Sequence, residues 1–227
     1  MRVFLVVLAA LLLAAAVAGL ARLPRGRVER ARWSCGGVAA VEVRLGAGRV
    51  EVLGQRRGDV RVETAARCGP RAARPVVAVA GGVLRVDARR AAARCQLRVP
   101  ERTPVRAEVR DGEITLWGAA GDLVLLTEAG TIAGHDLGGE RVTARSGTGA
   151  VSLGFGRPPR RVTARSGTGQ VRVVLPGGPY AVEVDAGAPD VRVDLPVDPA
   201  AGRTVVASSR AGPVRVLAAS PQGPVRL

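Results

Sequence analysis

Residues 142–149 read VTARSGTG, and the same eight residues recur unchanged at 162–169. The two copies begin 20 residues apart. A fixed period of this length is typical of repeat architectures, in which each short unit stacks on the next and the stack shares one core. The octapeptide therefore predicts a stack of coils of about 20 residues each.

The same pattern of strand, tight turn and strand extends in both directions from the octapeptide. Aligned units begin at residues 105, 123, 142, 162, 182 and 205, and residues 41–50 match once more. Successive unit starts differ by 18, 19, 20, 20 and 23 residues. Apolar and charged residues alternate within the strands, so we expect one side of each strand to face the core and the other to face water.

Each unit has a predicted inward residue at the start of its second strand and a predicted glycine in the turn before it. The predicted inward residues are Ile114, Ile132, Val151, Val171, Val191 and Val214. The predicted turn glycines are Gly48, Gly112, Gly130, Gly149, Gly169 and Gly212. Pro189 takes the glycine position in unit 182, so we expect a turn of different shape there.

The composition agrees with an all-β fold. Hydrophobic residues make up 47% of the chain and aromatic residues only 2%, so the core must consist of Val, Leu and Ala, and Val favours strands. We predict a single-stranded β-helix, or β-solenoid. Residues 101–218 would form the repeated coils, and hairpins within 38–100 would cap one end. Residues 23–37 would be a basic linker and 219–227 a tail.

Residues 1–22 contain an apolar run, 3–21, that is long enough to span a bilayer. We expect a transmembrane signal anchor, and a cleaved signal peptide is the alternative. Five arginines lie between residues 22 and 32. By the positive-inside rule they would hold the domain in the cytoplasm, so a cytoplasmic, membrane-tethered scaffold also stays open.

The three cysteines suggest a disulfide rather than a metal site. There is no C-x-x-C motif, and His135 is the only histidine, so no zinc site is expected. Cys68 and Cys95 lie on either side of a predicted hairpin of 76–79 with 83–86, so they are the candidate disulfide. Cys35 would then be the unpaired cysteine. Three unpaired thiols in a reducing compartment are the alternative.

Several motifs together resemble a known family. Residues 97–100 read LRVP, residues 111–114 read DGEI, residues 127–132 read TEAGTI, and residues 146–151 read SGTGAV. This pattern resembles the DUF4097 family of bacterial adhesin-like proteins over roughly residues 38–218. The resemblance implies a right-handed β-helix in an envelope protein with an N-terminal membrane segment. With the candidate disulfide, it favours a domain outside the cytoplasm.

No catalytic, metal-binding or cofactor-binding residue is predicted. His135 has no nucleophile arranged beside it, and Ser146 and Ser166 recur with the repeat, so we interpret them as turn-forming hydroxyls. SGTG is followed by a strand and the chain has no Lys, which argues against a phosphate loop. Acids such as Asp190 do not recur in neighbouring units, so a carbohydrate-active β-helix enzyme is only the alternative function.

The charge of the chain bears on its partners. All 34 basic residues are Arg and the net charge is +15. The few aromatic residues are scattered, so no specific nucleic acid is expected. We expect a non-enzymatic envelope module for surface contact, adhesion or sensing. Its expected partners are the membrane, through the N-terminal segment, and anionic envelope polymers or another envelope protein.

Overall fold

The computed structural model describes residues 27–68, 74–187 and 190–219, and within these ranges the protein is all-β, with 15 strands and no helix. The strands are β1 (Arg27–Gly36), β2 (Ala40–Gln55), β3 (Asp59–Cys68), β4 (Val76–Ala80), β5 (Val83–Pro100), β6 (Val105–Trp117), β7 (Leu123–Leu137), β8 (Arg141–Ser146), β9 (Val151–Phe155), β10 (Arg161–Ser166), β11 (Val171–Leu175), β12 (Ala181–Ala186), β13 (Val191–Asp194), β14 (Thr204–Ser209) and β15 (Val214–Ala218).

The predicted membrane segment at 1–22 lies outside the described residues, as do Pro189 and all but the first residue of the tail. The part of the chain that is described contains no helix with the length and apolar character needed to cross a membrane.

Strand pairing follows two rows, because each unit contributes a first and a second strand. The first row runs β4–β5–β2–β6–β7–β8–β10–β14–β12. The second row runs β1–β3–β5–β2–β6–β7–β9–β11–β15–β13. The long strands β5, β2, β6 and β7 take part in both rows, one half in each. Pairing between units is parallel throughout, and only β1, β3 and β4 add in antiparallel fashion.

The pairing register matches the alignment of the repeats. Val105 lies opposite Leu123, Leu123 opposite Val142, and Val142 opposite Val162. The weaker match near the start of the chain also holds, since Val41 lies opposite Val105. The period-2 alternation thus placed the same face of each unit toward the core.

The spatial order of the units differs from their order in the chain at both ends. Unit 205 lies between units 162 and 182, because β14 pairs with both β10 and β12. β15 likewise lies between β11 and β13. At the other end, β2 lies between β5 and β6 although three strands separate β2 from β6 in sequence.

The region 38–100 contains one more unit than the repeat alignment indicates. Residues 83–86, expected to be one short strand of a hairpin, are the beginning of the long strand β5. β5 pairs with β2 in the repeat register, with Leu84 opposite Val41 and Cys95 opposite Val50. The predicted hairpin of 76–79 with 83–86 is confirmed as the β4–β5 pairing. β1, β3 and β4 complete this end of the sheet.

A continuous core lies between the two rows and is made mainly of Val, Leu and Ala. The predicted turn glycines form a column beside it. A Cβ on Gly112 would collide with the carbonyl oxygen of Gly48, one on Gly130 with that of Gly112, and one on Gly149 with that of Gly130. Gly48, Gly112 and Gly130 also have positive φ angles of 123°, 149° and 147°. Backbone contact between neighbouring units therefore requires glycine at this column.

Candidate anion-binding groove

Basic residues concentrate in three units that the fold brings together. Residues 141–182 and 199–219 contain no Asp or Glu. Because unit 205 lies directly beside unit 162, these stretches form one region of the surface. We call units 142, 162 and 205, residues 141–175 and 203–218, the basic band. Its arginines are Arg141, Arg145, Arg157, Arg160, Arg161, Arg165, Arg172, Arg203, Arg210 and Arg215.

Most of these arginines have no carboxylate partner. Arg141 donates to Asp122, and Arg215 lies 3.6 Å from Asp190, so both pair with acids of neighbouring units. The other eight form no ion pair with any residue in the described ranges. This contrasts with residues 27–110, where most arginines lie beside an Asp or Glu. The basic band is thus the part of the described surface with the largest excess of positive charge.

The register places like charges directly opposite each other. Arg145 lies opposite Arg165 and Arg141 opposite Arg161 in the parallel pairing of β8 with β10. On the second row, Arg172 lies opposite Arg215. Neighbouring strands are about 4.8 Å apart, and like charges directly opposite on adjacent strands are destabilising. A bound anion would reduce this repulsion.

Three of the unpaired arginines line a surface groove. The groove has a volume of about 510 Å³. It is lined by Arg145 of unit 142, by Arg165 of unit 162, and by Arg210 and Ser208 of unit 205. Asp185 of unit 182 lies at one end. We call this the arginine groove.

The arginine groove continues toward the N-terminal units. A second groove of about 370 Å³ shares Arg145, Ser146 and Gly147 with it and is further lined by Arg44, Arg89 and Arg110. In this continuation the arginines are neutralised: Arg44 lies 3.8 Å from Glu108, Arg89 2.7 Å from Asp87, and Arg110 3.0 Å from Asp111. Among the described residues that line the two grooves, those of the basic band are the ones with unpaired guanidinium groups.

Buried serines hold the backbone where the groove arginines project. Ser166 Oγ accepts a hydrogen bond from the Gly169 N–H and donates one to the Gly149 carbonyl of the previous unit, both at 2.8 Å. Ser146 and Ser209 make the equivalent pairs of bonds. Each of these serines lines the groove and is the chain neighbour of a groove arginine, so these bonds position the groove wall from unit to unit. The interpretation of Ser146 and Ser166 as turn-forming hydroxyls agrees with this geometry.

The residues considered for catalysis are not brought together. His135 stacks on Trp117 of the neighbouring unit, with ring centroids 5.4 Å apart and planes 9° from parallel. Asp194 lies 3.2 Å from Arg192, and Asp190 lies beside Arg215. Within the described ranges, no group of three or more His, Cys, Asp or Glu side chains is arranged to hold a metal ion.

Five of the six predicted inward residues are buried. Ile114, Ile132, Val151, Val171 and Val214 are at most 1% exposed. The prediction is wrong for Val191, which is 45% exposed, because β13 is the last strand of its row and no further unit of the described residues covers it. Val193 on the same strand is 37% exposed.

The structure does not support the predicted disulfide. Cys95 is a free, buried thiol, and burial raises its pKa to about 12. Thr64 is the residue of β3 opposite Cys95, whereas Cys68 lies four residues further along that strand. That offset is roughly 13 Å at about 3.3 Å per residue, while a disulfide needs Cα atoms within about 7 Å. Cys35 is also a free thiol.

Sequence reasoning missed the arginine groove for a specific reason. The absence of acids between residues 141 and 182 is visible in the sequence. Arg210, however, joins Arg145 and Arg165 only because unit 205 stacks on unit 162 instead of unit 182. An alignment of repeats in chain order places the acidic unit 182 in that position.

Comparison with known proteins gives a distant likeness to solved structures. A "putative cell adhesion protein" from Clostridium sporogenes is 9% identical, with a TM-score of 0.48, and the match covers 85% of this chain and 100% of that one. A "putative adhesin" from Bacteroides fragilis is 9% identical, with a TM-score of 0.49 and coverage of 86% and 99%. A "putative lipid binding protein" from Parabacteroides distasonis is 10% identical, with a TM-score of 0.34 and coverage of 85% and 97%.

No family model matches the chain. No curated protein matches it either. Membership of the DUF4097 family therefore stays a prediction from the sequence.

Proposed function

We propose that the protein is a non-enzymatic β-solenoid module of the bacterial envelope, tethered by its N-terminal segment, that makes contact with an anionic surface or polymer. The observation that carries the proposal is the basic band: ten arginines and no carboxylate in three adjoining units, with eight of the arginines unpaired among the described residues. Unpaired surface charges of one sign attract partners of the opposite sign and speed their association.

The shape of the module supports a contact role. Each unit pairs in register with its neighbours, and all units share one core. The outward side chains are therefore regularly spaced on a rigid surface. Repeat proteins commonly use such extended surfaces for binding.

Binding of the full chain, held in nanodiscs of neutral lipid, tests the proposal. We expect the full chain to bind anionic vesicles and immobilised anionic polymers but not neutral ones. Binding should weaken as the salt concentration rises.

A variant with Arg145, Arg157, Arg160 and Arg165 changed to Gln should bind weakly. A control with Arg56, Arg61, Arg85 and Arg106 changed to Gln loses the same charge outside the basic band and should bind like the native chain. Equal loss in both variants, or no binding by the native chain, would contradict the proposal.

The compartment needs its own experiment. Thr148 is exposed in the turn of unit 142, so Thr148→Cys supplies an accessible thiol. If the domain lies outside the cytoplasm, a membrane-impermeant thiol reagent labels this residue in intact cells. Labelling that appears only after lysis would establish the cytoplasmic scaffold instead.

A further inference from the structure

We propose that the arginine groove binds a linear polyanion that lies along the stacking direction of the units, with its anionic groups on Arg145, Arg165 and Arg210. The inference rests on the proposed function and names the class of partner: a polymer with an anionic group in each repeat, either a phosphodiester or a carboxylate. Its chain would run across the strands, from unit 142 over unit 162 to the end of β14.

The direction follows from how the arginines are arranged. Arg145 of β8 lies opposite Arg165 of β10, and Arg210 directly follows β14, the next strand of the first row. Adjacent strands are about 4.8 Å apart, so Arg145 and Arg165 are spaced at about that interval, whereas Arg210 lies two residues beyond Ser208, the residue opposite Arg165. Phosphate and carboxylate groups can accept paired hydrogen bonds from guanidinium groups. A polymer with closely spaced anionic groups therefore meets one arginine after another as it follows the groove.

The lining argues for a polymer and against two other anionic partners. A flat membrane surface cannot follow a recessed groove as closely as a single chain can. Among the residues that the structure describes, no aromatic side chain lines either groove, so the bases of a nucleic acid would find no stacking partner there. A nucleic acid would be bound through its phosphates alone.

The charge pattern limits how much of the groove contributes to binding of the polyanion. Beyond Arg145, the arginines of the continuation, Arg44, Arg89 and Arg110, already pair with acids. At the opposite end, Asp185 repels an anion. The affinity should therefore rise with polymer length until three adjoining units are covered, and then level off.

The test uses the full chain in neutral nanodiscs and oligomers of defined length. One series consists of glycerol phosphate oligomers and a second of uronic acid oligomers, so that the two series distinguish phosphodiester from carboxylate partners. Inorganic phosphate is the single-anion probe, and a single-stranded oligonucleotide is the nucleic-acid probe. Isothermal titration measures the dissociation constants.

Two matched variants locate the site. Arg145→Gln with Arg165→Gln removes two groove arginines, whereas Arg157→Gln with Arg160→Gln removes two exposed arginines that line neither groove. We expect about a tenfold or larger loss of affinity in the first variant, because it loses charge-assisted hydrogen bonds, and less than about a threefold loss in the second, which loses only long-range attraction. Denaturant midpoints of both variants show whether the fold is intact.

The possible results distinguish a failure of the groove proposal from a failure of the proposed function. Equal losses in the two variants would overturn the groove site while leaving the anionic contact in place. Affinity equal for inorganic phosphate and for long oligomers would overturn the linear polymer, as would clearly tighter binding of the oligonucleotide than of a glycerol phosphate oligomer of equal charge. Absence of binding to every anionic probe, vesicles included, would remove the proposed function as well.

Discussion

Equivalent positions of the repeat have unequal environments, and Val151 and Val191 show this most directly. Both begin the second strand of their unit, but Val151 is 1% exposed and Val191 is 45% exposed. The stabilisation that a valine contributes depends on the apolar area it buries. The position in the stack, as well as the position in the repeat, therefore decides what a residue contributes.

Val151→Asp and Val191→Asp should differ strongly in the free energy of unfolding. We expect a loss of about 4 kcal/mol or more for Val151→Asp, because a carboxylate would be buried without a partner, and about 1 kcal/mol or less for Val191→Asp. Denaturant unfolding of the two variants measures the difference. Similar midpoints would show that unit 182 is covered in solution or that unit 142 is not buried.

The serine at the end of each first strand contributes through its hydrogen bonds. Ser166→Ala leaves the Gly169 N–H and the Gly149 carbonyl without these partners, so we expect a loss of about 1–3 kcal/mol. Ser208→Ala is the control, because Ser208 is half-buried and points to the opposite side of the strand. A loss as large at Ser208 as at Ser166 would argue against this bonding role.

At the scale of elements, the order of the strands is the feature to test. Thr163 of β10 lies opposite Val206 of β14, and Glu183 of β12 lies on the far side of β14. Neighbouring strands are about 4.8 Å apart, within the Cα range of a disulfide, whereas strands two apart are separated by about 9.6 Å.

Paired cysteine substitutions report this order. We expect Thr163→Cys with Val206→Cys to form a disulfide under mild oxidation, and Thr163→Cys with Glu183→Cys to remain reduced. Peptide mapping by mass spectrometry identifies which cysteines are joined and separates them from the native thiols. A disulfide that forms only in the second pair would show that the units stack in the order of the chain.

The elements differ in how well the sequence predicted them. Alternation of apolar and polar residues indicated the strand faces and the register of units 105, 123, 142 and 162, because a slip of one residue would expose the core side. The order of unit 205 could not be predicted this way, since the chain leaves one unit position free between β11 and β12, at residues 176–180, and returns to it through residues 195–203. Cys68 and Cys95 bracket a hairpin in sequence, but the pairing with β3 separates them.

At the scale of the whole molecule, the excess of positive charge affects stability. The chain carries a net charge of +15, and arginines of the basic band lie opposite one another. Repulsion among them opposes folding, whereas exposed ion pairs elsewhere contribute little. The location of the charge, and with it the candidate groove, depends on the stacking order as much as on composition.

The melting temperature should therefore rise with salt concentration. Salt screens the repulsion between exposed charges, with a Debye length of about 8 Å at physiological ionic strength. The variant with Arg145→Gln and Arg165→Gln should show a smaller rise, because one opposed pair is removed. Melting temperatures followed by circular dichroism from low to high sodium chloride provide the measurement, and a falling temperature would mean that attractive pairs dominate.

The displaced units also determine the sequence of events during biosynthesis. β12 pairs with β14 in its row and β13 with β15 in its row, and both partners come later in the chain. The strands that pair with β2 in the repeat register, β5 and β6, also come later in the chain. A ribosome delivers the N-terminal strands first, so folding cannot proceed as a zipper that adds each new unit to the one before. Strands β12 and β13 have no native strand partner within the described residues until β14 and β15 emerge, and only then can that end of the molecule close.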